Sequence, residues 1–243
     1  MRQTVRITAP IIGGIGGFVV TAIVLVLQKS PSQQGQAAQV QLAAGLLALS
    51  LSGCLVGAFS LASLAGESKQ TVNLQAAAMY MAVGPTIAIV AILAAFHVLA
   101  KLYIPQASDL FAAMAAMVGI AGVVYNSTGI IDEWDTSPGS SRWVRSRHHA
   151  EAWVTYLVAA GSVPVVAGGV LLAMGFTLHP SSGAVTWHML TGMAIAVGGG
   201  VMGLFRSLHS VSGNDPGIER WEAIGLQLVM GLYIAALIVI LPR

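Results

Sequence analysis

Residues 75–100 read QAAAMYMAVGPTIAIVAILAAFHVLA, a run of 26 residues without one Asp, Glu, Lys or Arg. An α-helix rises about 1.5 Å per residue, so that about 20 apolar residues cross the roughly 30 Å hydrocarbon core of a bilayer. Transmembrane β-strands are about half as long and alternate strictly between apolar and polar residues, which this run does not. The run therefore predicts a transmembrane helix.

Six other runs of the same character occupy most of the remaining chain. The seven predicted spans cover about 9–28, 39–65, 75–100, 109–131, 152–177, 186–208 and 222–241. Only 8% of all residues are charged and 56% are hydrophobic, whereas a soluble domain carries roughly a quarter charged residues. The sequence predicts an all-α polytopic membrane bundle of seven transmembrane helices that forms a single domain over residues 1–243.

The distribution of Lys and Arg predicts how the bundle is oriented. Eight of these residues fall on the side of the N-terminus and three on the other side. Basic residues are enriched in cytoplasmic loops, so this bias predicts a cytoplasmic N-terminus, an external C-terminus and a location in the plasma (inner) membrane. The net charge of +2 and the lack of a basic run exclude nucleic acid as an expected partner.

Small residues at four-residue spacing predict where helices approach closely. Such pairs are Gly13 with Gly17, Gly53 with Gly57, and Gly199 with Gly203. Lipid does not drive helices together as water does, so transmembrane helices associate through small residues that let backbones meet. We therefore expect all three pairs to lie in helix–helix contacts.

Two polar stripes are candidates for lining a cavity, because no Asp, Glu, Lys or Arg lies in the middle of any span. At 100° per residue, positions eleven apart return to within about 20° of the same direction. The stripe on the third span contains Gln75, Thr86 and His97, and that on the sixth contains His188, Gly192, Gly199 and Arg206.

The richest group of reactive residues lies at the predicted inner interface. Carboxylates and imidazoles there could exchange protons with a substrate, and arginines could bind an anionic head group. The candidate catalytic residues are Asp132, Glu133, Asp135, His148, His149 and His209. The candidate substrate-binding residues are Tyr125, Asn126, Arg142, Arg145 and Arg206. Anchoring and topology also explain Arg and Trp at such an interface.

Two histidines near the predicted outer interface are candidates for binding a metal ion or haem. His97 ends the third span and His188 opens the sixth, so topology places both in one leaflet. Neutral imidazole suits zinc, copper or iron, and two facing histidines can ligate a haem. No HxxxH, HxxH or CxxC motif accompanies them, and a histidine at a helix end is more usually a hydrogen-bonded interface residue than a ligand.

Three functions remain open at this stage. The favoured one is a membrane-embedded enzyme that acts on an apolar substrate, such as a lipid, isoprenoid or quinone, through the acids and histidines of the inner interface. The second is a transporter or channel for a small solute. The third is a haem- or quinone-linked membrane anchor subunit of a larger complex. Expected partners are membrane lipids, with partner membrane subunits or a homo-oligomer left open.

Overall fold

A computed structural model describes residues 2–28, 34–66, 74–136, 147–176, 182–211 and 218–242. Within these ranges the chain forms seven helices and no strand. They are α1 (Arg2–Gln28), α2 (Gln34–Gly66), α3 (Leu74–Tyr103), α4 (Pro105–Thr136), α5 (Arg147–Ala173), α6 (Ser182–Val211) and α7 (Arg220–Val239). All seven are long and apolar enough to cross a membrane, so the prediction of an all-helical bundle with seven helices of transmembrane length is confirmed for the described residues. Seven such helices are compatible with a multi-pass membrane protein.

The third helix is the centre of the bundle. It packs against α2, α4, α6 and α7, and most of its span is buried. Around it, α1 lies on α2, α6 lies on α2 and α3, and α5 lies on α4 and α7. A helix that is apolar all round is expected in such a fully enclosed position.

Polar contacts between helices identify the two ends of the bundle. Tyr80, near the start of α3, contacts Glu222, near the start of α7. His97, near the end of α3, contacts Ser108 at the start of α4. The end at which α3 and α7 begin is termed the N-terminal face, and the end at which they finish is termed the C-terminal face.

Two of the three predicted glycine pairs lie in helix–helix contacts. A Cβ atom on Gly53 would lie 2.5 Å from the carbonyl oxygen of Gly84, and one on Gly199 would lie 2.8 Å from that of Tyr80. Side chains cannot occupy such spaces, so α2 and α6 approach α3 at backbone distance because these positions are glycine.

The prediction for the first helix is wrong within the described part of the chain. A Cβ atom on Gly13 or Gly17 would meet no atom within 4 Å. The helix instead packs through another face, where Gly16 meets Cys54 of α2 and Val19 is buried. Spacing alone could not distinguish a glycine pair that faces a neighbouring helix from one that faces outward.

Candidate functional site

Three ionisable side chains from three helices meet near the N-terminal face. The hydroxyl of Tyr80 on α3 and a guanidinium nitrogen of Arg206 on α6 both donate to Oε1 of Glu222 on α7. The Arg206 and Glu222 side chains are only 16% and 21% exposed, and Tyr80 is buried. This arrangement, termed the Glu222 cluster, joins a cation, an anion and a phenol where the bundle interior meets its surface.

The start of α7 fixes the position of the Glu222 carboxylate. Glu219 is the N-cap residue, and its backbone N–H donates to Oε2 of Glu222 at 3.2 Å. The two residues form a reciprocal capping box, and a negative charge in the first turn of a helix is favoured by the helix dipole. One oxygen therefore caps α7 while the other accepts from Tyr80 and Arg206.

Helices α6 and α7 both pack against α3, but they share no extended interface with each other among their described residues. The ion pair of Arg206 with Glu222 connects them near the N-terminal face. A 2.9 Å hydrogen bond from the Tyr233 hydroxyl to the backbone oxygen of His188 connects them further along. Tyr233 reaches α6 over Gly192, where any Cβ atom would collide with its hydroxyl. The region between these two contacts is termed the α6–α7 seam.

The seam is open to the surroundings between its two polar contacts. Val229 lies on the face of α7 that carries Glu222 and Tyr233, because seven residues return to nearly the same direction. It is nevertheless 47% exposed. A Cβ atom on Gly198 of α6 or on Gly225 of α7 would meet nothing within 4 Å. The seam is thus an apolar, accessible surface with the Glu222 cluster at one end.

Two uncharged side chains inside the bundle form a second polar feature. Gln227 is 0% exposed and neither end of its amide has a hydrogen-bond partner among the described residues. Asn126 is 3% exposed, and its Nδ2 likewise has none. A buried polar group without a partner costs about 1–3 kcal/mol, so this arrangement is unfavourable unless something else occupies it.

The packing of α4 on α7 places these two residues at the same level of the bundle. A Cβ atom on Gly119 of α4 would lie 2.8 Å from Cγ2 of Ile234 on α7. The two helices are antiparallel, and Asn126 and Gln227 each lie seven residues from this contact, towards the N-terminal face. Seven residues are nearly two turns and keep the same face. Asn126 and Gln227 are termed the buried amide pair.

The predicted candidates on α4 and α6 are only partly brought together. Tyr125 is 69% exposed while its neighbour Asn126 is buried, so their side chains point to different surroundings. Arg206 is described and is paired with Glu222. The two polar stripes do not face each other, since Thr86 meets Gly122 of α4 whereas Gly199 meets the backbone of Tyr80.

The predicted acids and histidines of the interface belong to helix ends that lie at the N-terminal face. Asp132, Glu133 and Asp135 are in the last two turns of α4, His148 and His149 in the first turn of α5, and His209 in the last turn of α6. Their side chains lie outside the described residues, as do Arg142 and Arg145 entirely. Their catalytic and binding roles stay predictions.

His97 has a structural environment at the C-terminal face. Its Nδ1 lies 2.8 Å from the backbone oxygen of Ser108 and its Nε2 lies 2.7 Å from that of Pro242. A neutral imidazole donates through one of these nitrogens and an imidazolium through both. A metal or haem iron would need one of these contacts to break. The described residues contain no group of three His, Cys, Asp or Glu side chains suited to a metal ion, and the pairing of His97 with His188 stays a prediction.

Sequence reasoning missed the residues that complete these sites. Tyr80, Glu222, Gln227 and Tyr233 were not among the candidates. Gln227 carried a usable signal, because a glutamine six positions into an otherwise apolar span is costly to bury. Tyr80 carried none, since tyrosines near span ends are common interfacial residues.

No family model, curated protein or solved structure matches this chain. The functional assignment therefore rests on the described side chains. Two features bear on it, namely the Glu222 cluster beside the α6–α7 seam and the buried amide pair between α4 and α7.

Proposed function

We propose that this protein is a membrane-embedded enzyme that acts on a lipid-like substrate at its N-terminal face. The observation that carries the proposal is the Glu222 cluster, which unites a carboxylate, a guanidinium and a phenol at the end of an apolar, accessible seam. An apolar substrate with a polar head group needs both features side by side.

The seam is suited to hold the apolar part of such a substrate. Tyr233 lies eleven positions after Glu222 on α7, which corresponds to about 16 Å along the helix axis. The exposed residues between them are apolar or glycine, so an aliphatic chain can lie there without burying an unpaired polar group.

The cluster is suited to hold and protonate the head group. Arg206 carries a planar set of N–H donors that matches a phosphate or carboxylate, and Glu222 can accept a proton from a bound group. Tyr80 would act as the second proton donor or acceptor through its contact with Glu222. In this role Arg206 is a substrate-binding residue, as predicted, and Glu222 is the general base.

The residues predicted at the surrounding interface complete the proposal. We propose Asp132, Glu133, Asp135, His148, His149 and His209 as further proton donors or acceptors, and Arg142 and Arg145 as further head-group contacts. Tyr125 and Asn126 remain candidate substrate-binding residues. All of these roles rest on the sequence.

The proposal is tested by reconstituting the purified protein into liposomes made from lipids of its source membrane. Mass spectrometry of the lipids before and after incubation is expected to show one lipid class converted to product. E222Q keeps the shape of the side chain but removes the base, and is expected to lower the conversion by about 100-fold or more, as loss of a general base typically does.

Tyr233→Phe is the matched control, because it removes a hydroxyl at the other end of the seam and leaves the cluster intact. It should retain most of the conversion. Equal conversion by E222Q and the unmodified protein, or no conversion by either, contradicts the proposal. Solute flux through the same liposomes without lipid conversion would favour a transporter.

We further propose that the N-terminal face is cytoplasmic and that the membrane is the plasma membrane, on the ground of the Lys and Arg distribution. After Cys54→Ala, single cysteines at Ser30 and Ser68 would lie on opposite sides. A membrane-impermeant thiol reagent added to intact cells is expected to label S30C and not S68C, and the reverse labelling contradicts the orientation.

A further inference from the structure

The buried amide pair offers hydrogen-bonding capacity that the described residues leave unused. We propose that Asn126 and Gln227 bind a hydroxyl group, supplied by an alcohol-bearing lipid or by a water molecule, in the interior of the bundle. This site is separate from the Glu222 cluster, and although Asn126 is also a candidate substrate-binding residue, the binding proposed here does not require the proposed enzymatic activity.

The buried amide pair lies within the protein and not on its surface, because helices α4, α5 and α7 pack together beside it. On α5, a Cβ atom added to Gly161 would lie 2.5 Å from Cγ1 of Val123 on α4 and 3.2 Å from the backbone oxygen of Gln227 on α7. The glycine thus draws α5 against both helices beside the amides. Asn126 and Gln227 are enclosed by α4, α5 and α7.

The unused donors and acceptors define the chemistry of the ligand. The Nδ2 of Asn126 and the Nε2 of Gln227 offer N–H donors, and Oε1 of Gln227 offers an acceptor. A hydroxyl provides two acceptor lone pairs and one donor, so it satisfies all three groups. A ketone or quinone carbonyl accepts from both amides but leaves Oε1 unsatisfied, and an alkyl chain satisfies none.

Charge also favours a neutral ligand. Asn126 and Gln227 carry no charge, and a charged group is costly inside a membrane unless it is paired. The Glu222 cluster lies five residues away along α7, about 7.5 Å by helical rise and 140° around the axis. Its Arg206 and Glu222 neutralise each other, so neither supplies a counter-ion to the amides.

The alcohol arm of the test uses 1-dodecanol as the probe, with 2-dodecanone and n-dodecane as matched comparisons. Purified protein in detergent is titrated with each compound and its thermal unfolding is followed. 1-Dodecanol is expected to raise the melting temperature most, 2-dodecanone less, and n-dodecane not at all. In N126L and Q227L the apparent affinity for 1-dodecanol is expected to fall by about tenfold or more.

Thr86→Val is the control for this arm. Thr86 is another polar residue inside the bundle, but its hydroxyl is bonded to Ala82 of its own helix, so the response to 1-dodecanol should persist. N126L alters α4 and Q227L alters α7, so the two variants test the site independently. Each variant is used only if it elutes as a single species on size exclusion. If both failed that criterion, N126V and Q227M would replace them.

The water arm uses X-ray radiolysis in H₂¹⁸O, which transfers ¹⁸O from a bound water to a nearby oxidisable side chain. Met230 follows Gln227 by almost one turn and is fully buried, so its labelling reports water held inside the bundle. Labelling in the unmodified protein that disappears in Q227L supports water as the source of the hydroxyl.

Stabilisation by 1-dodecanol that is lost in N126L and Q227L supports an alcohol instead. The proposal is overturned if 1-dodecanol has no selective effect and Met230 is not labelled. It is also overturned if both responses persist unchanged in N126L and Q227L.

Discussion

His97 and Gln227 both lie almost fully buried within a bundle of apolar helices, and they differ in how their polar atoms are satisfied. Both ring nitrogens of His97 lie at hydrogen-bonding distance from backbone carbonyl oxygens, whereas neither end of the Gln227 amide has a partner in the described residues. In a membrane interior the first arrangement stabilises the fold and the second does not. A buried polar residue is therefore informative about function mainly when its partners are missing.

The same contrast separates the two ends of the molecule. At the C-terminal face, His97 contacts backbone oxygens, whose positions are set by the helices and not by a second side chain. At the N-terminal face, the Glu222 cluster consists of side chains from three helices that can exchange partners. The substitutions below compare the free energy of unfolding that is lost when a structural polar contact is removed with the loss when an exchangeable one is removed.

The largest effect is expected for His97→Leu. This change removes the contacts of the His97 ring with the backbone oxygens of Ser108 and Pro242, and with them a polar connection of α3 to α4 and to the end of α7. We expect the free energy of unfolding to fall by about 3 kcal/mol, measured by SDS titration in micelles with tryptophan fluorescence. His188→Leu is the control and should change it by less than about 1 kcal/mol. Equal losses in the two variants would contradict the structural role of His97.

The next largest effect is expected for breaking the Glu222 cluster. E222Q or Arg206→Leu leaves one charge without its partner, which costs several kcal/mol when the site is dry. Because these side chains are partly exposed, we expect a loss of about 2 kcal/mol for each. In a double-mutant cycle the two losses should not add, since they report one interaction. Additive losses would show that the pair contributes little to stability.

A smaller effect is expected for Tyr233→Phe. It removes the hydrogen bond to the backbone oxygen of His188, and thus the contact between α6 and α7 at that end of the seam. We expect a loss of about 1 kcal/mol. Tyr125→Phe is the control, because the Tyr125 side chain faces outward, and it should have no measurable effect in the same unfolding assay.

The smallest effect, and the only one of opposite sign, is expected for Gln227→Leu. In protein washed free of lipid, replacing an unpartnered amide with an apolar side chain of similar size should raise stability by about 1 kcal/mol or less. Ser127→Ala is the comparison, because the buried Ser127 hydroxyl is bonded to Val123 and its removal gives no gain. A large loss in Q227L would show that the amide has a protein partner.

The helices of this protein were predictable because each depends on a local property. A run of about 20 apolar residues must satisfy its backbone internally, and the helix does so whatever surrounds it. The face that each helix buries is not a local property. Gly13 and Gly17 have the same spacing as Gly53 and Gly57, yet only the second pair meets α3.

The candidate site was predictable only where one residue was unusual by itself. Arg206 stood out because a cation at the end of a span needs a partner, and Asn126 stood out as an amide within one. Glu222 and Tyr80 are 142 positions apart, so their contact follows from the packing of α3, α6 and α7 and from no sequence pattern. The acids at the end of α4 were identified from composition, and their partners stay a prediction.

The central position of α3 has a consequence for the synthesis of this protein. Tyr80 enters the membrane with α3, but Arg206 and Glu222 follow about 130 and 140 residues later in the chain. At about 5–20 residues per second, translation leaves that hydroxyl without these two partners for roughly 6–28 s. During that interval two of the neighbours of α3, namely α6 and α7, have not yet been made. We expect the insertion machinery to retain α3 until α6 and α7 arrive, which makes the last two helices the step that commits the bundle to its final packing.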